Sequence, residues 1–141
     1  MYDRCMNGVL QAQMGFAADD RGNGVAYVRL RSRRGERVLR VPFTVRRLPA
    51  LLGREIGYAA LAAVLPQLAA RGVEALQLVL EDETLAADLR DRRDLPPALA
   101  MPYVRARCAL NRLRRSDIAP AAPEGDLTAR ARSEAALHAA A

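Results

Sequence analysis

Ile56-Gly57-Tyr58-Ala59-Ala60-Leu61 opens the stretch that decides the fold, which runs on through Gly72 to Ala75-Leu76-Gln77-Leu78-Val79-Leu80-Glu81-Asp82. The hydrophobic period changes within it. Leu52, Ile56, Ala59, Ala60, Ala63 and Val64 recur at helical spacing, so a helix is expected over residues 49–71. Gly72 is a sound C-terminal stop. Pro66 removes a backbone donor inside the segment and should kink it. Residues 75–80 then form a short apolar run, the pattern of a buried parallel strand. The run ends on three acids, Glu81-Asp82-Glu83, at a strand-to-helix junction.

Upstream the period is two. Residues 8–16 read as a first strand with imperfect alternation, followed by a polar turn segment, 17–24, that carries Asp19-Asp20, Gly22 and Gly24. In 25–31, Ala26, Val28 and Leu30 face one way and Tyr27, Arg29 and Arg31 the other. After the turn Arg33-Arg34-Gly35-Glu36, the strand 37–45 places Leu39, Val41, Phe43 and Val45 on one face. Three strands with short connections make an antiparallel meander. Downstream, the expected elements are a short helix over 83–90, a charged loop over 91–97 and a long helix over 99–115. A strand over 116–122 and a helix over 126–139 follow, with the alanine-rich end, 134–141, expected to fray. This order predicts a single α/β domain, 1–141, with a mixed five-stranded sheet (three antiparallel strands, then parallel additions) and helices on both faces.

Composition bounds the function. The chain has 141 residues, 51% apolar and 27% charged, which suits one folded core rather than disorder. Its longest uncharged apolar run, 56–70, is too short to span a bilayer, and its first residues lack a signal-peptide pattern, so the cytoplasm and no membrane partner are expected. Cys5 and Cys108 form no CxxC pair and His138 is the sole histidine, so no tetrahedral zinc set can be assembled and two free thiols are expected. All 22 basic residues are arginine, and the net charge is +6. That bias fits phosphate contacts, and equally a GC-rich genome.

The central stretch resembles the ribonuclease H family, above all its bacterial and plant-type members. The family's first long helix carries Ala-Glu-Tyr-x-Ala-Leu, and Ile56 to Leu61 sits in that register, keeping the tyrosine, alanine and leucine. The family's glycine stop, its strand and the Asp-Ser pair that follows are met in ungapped register by Gly72, by Leu76 to Leu80 and by Glu81-Asp82. Leu85 and Leu89 match the apolar residues of the next short helix. Met14-Gly15, then Gly22-Asn23-Gly24, stand where the family has Asp-Gly and a glycine-rich turn; its last motif, Asn-x-x-Ala-Asp-x-Leu-Ala, falls on residues 126–133.

The resemblance implies four carboxylates holding two divalent metal ions, Mg2+ or Mn2+, that cleave the RNA strand of an RNA–DNA hybrid. Here the four places hold Met14, Gly57, Glu81 and Arg130. One carboxylate remains, and a cation at the last place repels a metal ion. Glu55 cannot replace Gly57, because residues two apart on a helix point about 200° from each other. The expectation is therefore a catalytically inactive domain with no cofactor, in which Glu81 and Asp82 are the sole candidates for holding a single cation. The acids at 81–83 equally suit the positive end of the helix after them. Gly57 is explained either by tight packing over the helix or by drift at a site no longer under selection.

Other chemistry finds little support. His138, the only available imidazole base, lies near the alanine-rich end, so a triad is not expected. Binding candidates are the arginines of the second long helix, Arg105 and Arg112 along one edge of its apolar stripe, Arg107 and Arg114 along the other, with a second cluster of Arg29 and Arg31 on a strand and Arg33 and Arg34 in the turn after it. Flanking arginines are also the ordinary dress of a surface helix. With two phenylalanines, four tyrosines and no tryptophan, base-stacking recognition of single strands is disfavoured. The expected partner is nucleic acid, an RNA–DNA hybrid or a duplex. The competing expectations are a structural module that binds a protein or a second copy of the chain, and a residual nuclease built around Glu81, Asp82 and Glu55.

Overall fold

The computed structural model describes residues 9–91, 95–119 and 125–140, the side chains of the last helix as far as Leu137. Strands β1 (Val9–Ala18), β2 (Asn23–Ser32) and β3 (Gly35–Thr44) form an antiparallel meander. Helix α1 (Arg54–Ala70) leads to β4 (Ala75–Leu80), and α2 (Glu83–Asp91) and α3 (Ala100–Asn111) lead to β5 (Arg115–Ala119). Helix α4 (Asp126–Ala140) ends the chain's described part. The sheet order is β3-β2-β1-β4-β5, with β4 parallel to β1 and β5 parallel to β4. The expected mixed α/β sheet is thus present, with β4 beside β1 as the buried apolar run required.

Two cores hold the layers together. Leu61, Val64 and Leu68 of α1 pack with Met14, Val28, Leu78 and Leu80 of the sheet, and α2 and α3 add Leu85, Leu89 and Leu110 on the same side. On the opposite face, α4 sets Leu127 and Ala131 against Val25 and Tyr27. Val25 to Val28 are therefore all buried, because β2 is covered on both sides, whereas its alternation alone suggests a strand with one wet face. No helix among the described residues is long and apolar enough to cross a membrane.

Several boundaries differ from expectation. The helix expected from 49 is a separate 3-10 turn, Pro49–Leu51, followed by Leu52 (φ 54°) and Gly53 (φ 89°), whose left-handed backbone interrupts helical hydrogen bonding before α1 starts. α1 continues through Pro66; the carbonyl of Ala62 that loses its donor lies at the exposed face, where water can satisfy it. The second long helix is Ala100–Asn111, shorter than 99–115: Arg112 caps it, and Arg115 already belongs to β5. Helix α4 reaches Ala140, and within the segment expected to fray Glu134 and Ala135 pack against the sheet. Cys5, the His138 side chain and Gly8 lie outside the described residues, as do 92–94 and 120–124.

Candidate functional site

The C-terminal end of β4 carries the one retained carboxylate. Met14 pairs with Leu80, and the Glu81 N–H donates to the Met14 carbonyl at 3.0 Å, so the first and third of the four expected places are adjacent in the sheet. Their side chains part. Met14 is fully buried in the core beneath α1, whereas Glu81, 3% exposed, turns toward α4.

Both oxygens of Glu81 are engaged. Oε1 accepts from the Thr128 backbone N–H at 2.7 Å and from its hydroxyl at 2.6 Å. Oε2 accepts from Gln13 Nε2 at 2.5 Å. A carboxylate suits this place because the first N–H groups of α4 have no partner within the helix and carry partial positive charge. Two glycines admit it: a Cβ on Gly125 would collide with the Glu81 carboxylate, and a Cβ on Gly15 would collide with the backbone at Leu127 and Thr128. The glutamate bolts β4 to the start of α4.

The other two places are equally committed. A Cβ on Gly57 would lie 3.0 Å from Leu85 Cδ2 and 3.0 Å from Phe16 Cζ, so two side chains fill the space above this glycine. Of the two explanations for Gly57, tight packing is the one with a physical basis. Arg130 stacks on Tyr27, its guanidinium carbon 4.3 Å from the ring centroid. Nearby on β2, Arg29 forks onto Asp126 and lies 3.5 Å from Glu36. The Asp126 hydrogen bonds foremost, then Glu36 and Glu81, raise the Arg29 pKa against the effect of burial. The same pair holds the Asp126 carboxyl below its ordinary range.

Asp82 faces α2. Its Oδ1 accepts from the Leu85 N–H at 2.8 Å and so caps that helix, as acids at a helix start do. It lines a cleft of about 100 Å³ with Gly57, Leu85, Arg54 and Asp88. Arg54 and Asp88 are 2.7 Å apart, and Tyr58 donates to the same carboxylate at 3.0 Å. Burial and the Asp88 charge push the Tyr58 hydroxyl pKa well up. Glu55 faces away from Gly57, as the helical angle requires: its Oε2 accepts from the Leu48 N–H at 2.9 Å and from Arg47 Nε at 3.1 Å. Among the described residues, no three Asp, Glu, His or Cys side chains stand where they could share a cation. A pair of divalent ions needs several free anionic oxygens, and the residues at these four places do not fit it.

The expected binding arginines fall into two groups. Arg29 and Arg31 are tied to carboxylates, Arg31 Nε lying 2.9 Å from Glu36. Arg105, Arg112 and Arg114 are exposed and make no ion pair among the described residues, while Arg107 is half-buried and donates to the Leu89 carbonyl at 3.3 Å. Because α3 stops at Asn111, Arg107 and Arg114 do not share a helix edge. Cys108 is an exposed free thiol. Sequence reading missed the Glu81–Thr128 link; the signal was Gly125-Asp126-Leu127-Thr128, a helix start with hydroxyl and N–H groups ready for an acid.

The fold is that of ribonuclease H. The chain is similar to ribonuclease H1 of the halophilic archaeon Halobacterium salinarum (TM-score 0.68, 21% identity, covering 93% of this chain and 99% of that one). It is similar to the N-terminal RNase H domain of a Mycobacterium tuberculosis protein (TM-score 0.67, 15% identity, 94% and 99%). It is similar as well to LC11-RNase H1, isolated from compost by a metagenomic approach and solved in complex with an RNA/DNA hybrid (TM-score 0.65, 12% identity, 94% and 99%). No family model matches the sequence, and no curated protein does.

Proposed function

We propose that this chain is a catalytically inactive ribonuclease H-like domain that binds nucleic acid through its phosphates. The observation that carries the first half is the Glu81 carboxylate, whose two oxygens are engaged by Thr128 and Gln13. A metal ion would have to displace those bonds and find further anionic ligands, while Met14, Gly57 and Arg130 offer none. The proposed role uses no divalent cation.

Support for the second half is the net charge of +6, the exposed arginines around the end of α3 that make no ion pair among the described residues, and the hybrid-bound state of the similar LC11-RNase H1. Binding of this kind is tolerant of sequence and steeply salt-dependent, with dissociation constants on the order of 10⁻⁴ to 10⁻⁶ M at physiological salt. Fluorescence anisotropy with labelled duplex, hybrid and single-stranded ligands tests it. The expected result is binding of duplex and hybrid that weakens linearly in log–log salt plots. Failure of all three to bind at low salt ends the nucleic-acid reading. The protein-interaction reading then takes its place, supported by an apolar cleft of about 620 Å³ between α1 and α3 lined by Leu65, Pro66, Pro102 and Ala109.

A further inference from the structure

Charge in this molecule is sorted by the ends of the sheet. Register defines the ends. Gln11 of β1 lies opposite Arg31 of β2 and Gln77 of β4, and Ala75 lies opposite Arg115 of β5. The β2–β3 turn, the start of β4 and the start of β5 therefore share one end. The β1–β2 turn, the starts of α1 and α2, and Glu81 share the other.

The first end is basic. Arg33, Arg34 and Arg37 project from the β2–β3 turn and the start of β3, all exposed. Arg71 caps α1 beside the start of β4, and Arg112, Arg114 and Arg115 connect α3 to β5, exposed as well. None of these arginines makes an ion pair among the described residues. Among the described residues Glu36, Glu74 and Asp117 are the nearby acids, and Glu36 is occupied by Arg29 and Arg31. The opposite end carries Asp19, Asp20, Asp82 and Glu83 at its surface, with Glu55, Glu81 and Asp88 beneath. Of its arginines, Arg47 and Arg54 are already paired with acids, while Arg21 and Arg46 are exposed and make no ion pair among the described residues.

We infer that the phosphate-contacting surface is the basic end, with the β2–β3 turn at one edge and the α3–β5 connection at the other, and that it takes the backbone of a nucleic-acid duplex. The inference rests on the nucleic-acid reading above and locates it. Nucleic acid then sits away from the end where the four carboxylates of an active ribonuclease H would stand, because the acids there repel phosphate. From β3 to β5 is four strand spacings, about 19 Å. A duplex carries one charge per ~1.7 Å over both strands, so a length this wide holds on the order of ten phosphates, roughly half of them on the side that faces the protein. Among the described residues no aromatic side chain stands with these arginines, so they offer a single strand no stacking platform.

The test is anisotropy with a mixed-sequence duplex over about 50 to 200 mM salt, comparing wild type with paired substitutions. Arg33→Gln/Arg34→Gln and Arg112→Gln/Arg114→Gln remove charge at the two edges; Arg21→Gln/Arg46→Gln removes the same charge at the acidic end. Each neutralised phosphate contributes ~0.9 to the salt slope, so each basic-end pair should lower it by about 1.8 and the control pair should leave it unchanged. Glu74→Gln, which removes an acid from the basic end, should raise affinity, and it needs no arginine variant to fold. Wild-type binding that the control pair weakens as much as the basic-end pairs overturns the location alone. Absence of wild-type binding overturns the nucleic-acid reading and this inference together.

Discussion

Glu81 and Thr128 are 47 residues apart in sequence, yet the carboxylate accepts from both the backbone N–H and the hydroxyl of the threonine. A buried acid at the end of β4 is thereby converted into a cap for α4, and the helix is fixed at the position where Leu127 and Ala131 close the second core. Replacing Glu81 by Ala strands the Thr128 and Gln13 donors and should cost about 2–4 kcal/mol. Urea unfolding of Glu81→Ala, Thr128→Ala and the double variant measures it. The double variant should be less destabilised than the sum of the two singles; strict additivity contradicts the link.

Gly57 is held by its neighbours. Alanine gains about 1 kcal/mol of helix preference, but its Cβ presses on Leu85 and Phe16, and overpacking costs about 1–3 kcal/mol. Gly57→Ala should therefore destabilise slightly, by about 1 kcal/mol, and Gly57→Glu by more. A thermal melt in which Gly57→Ala is more stable than wild type removes the packing explanation.

Asp88, 5% exposed, satisfies Arg54 and Tyr58 together. Asp88→Ala leaves a half-buried guanidinium and a buried hydroxyl without their acceptor and should cost about 3 kcal/mol. Arg54→Met with Asp88→Leu, which removes both charges, should recover much of that loss in the same unfolding assay. A double variant no more stable than Asp88→Ala argues against the uncompensated charge as the cause.

Glu55 gives the protein an acid limb. Burial pushes its pKa up, but hydrogen bonds from the Leu48 N–H, its own N–H and Arg47 outweigh burial and leave it below the ordinary glutamate value. With the folded value lowered, the unfolded chain takes up the proton first. The stabilisation is complete above about pH 4.3, the unfolded value, and is lost as pH falls through the folded one. Glu55→Gln should thus be less stable than wild type at neutral pH, and the gap should narrow below about pH 4. A gap that is constant with pH assigns the loss to shape rather than charge.

Much of the fold was legible because period and punctuation agree: alternation in β2 and β3, helical spacing in α1, a glycine stop, and an apolar run for β4. The ends of helices were less legible. Nothing in local propensity requires Leu52 to adopt a left-handed backbone or α3 to stop at Asn111, since both depend on how the chain must enter the next element. The identities at Met14, Gly57, Glu81 and Arg130 were plain in the sequence, but their uses were not. Glu81 as a helix cap, Gly57 beneath Leu85, and Arg130 over Tyr27 each join residues far apart along the chain, which no local spacing reveals. The sorting of arginines by sheet end likewise becomes visible only once the register is known.

The most direct measurement is turnover of a labelled RNA–DNA hybrid in Mg2+ or Mn2+ by purified wild type beside Glu81→Ala. An inactive domain gives no cleavage above the Glu81→Ala control with either metal. Metal-dependent cleavage by wild type that Glu81→Ala abolishes contradicts it, and shows that the Glu81 carboxylate leaves Thr128 to hold a cation.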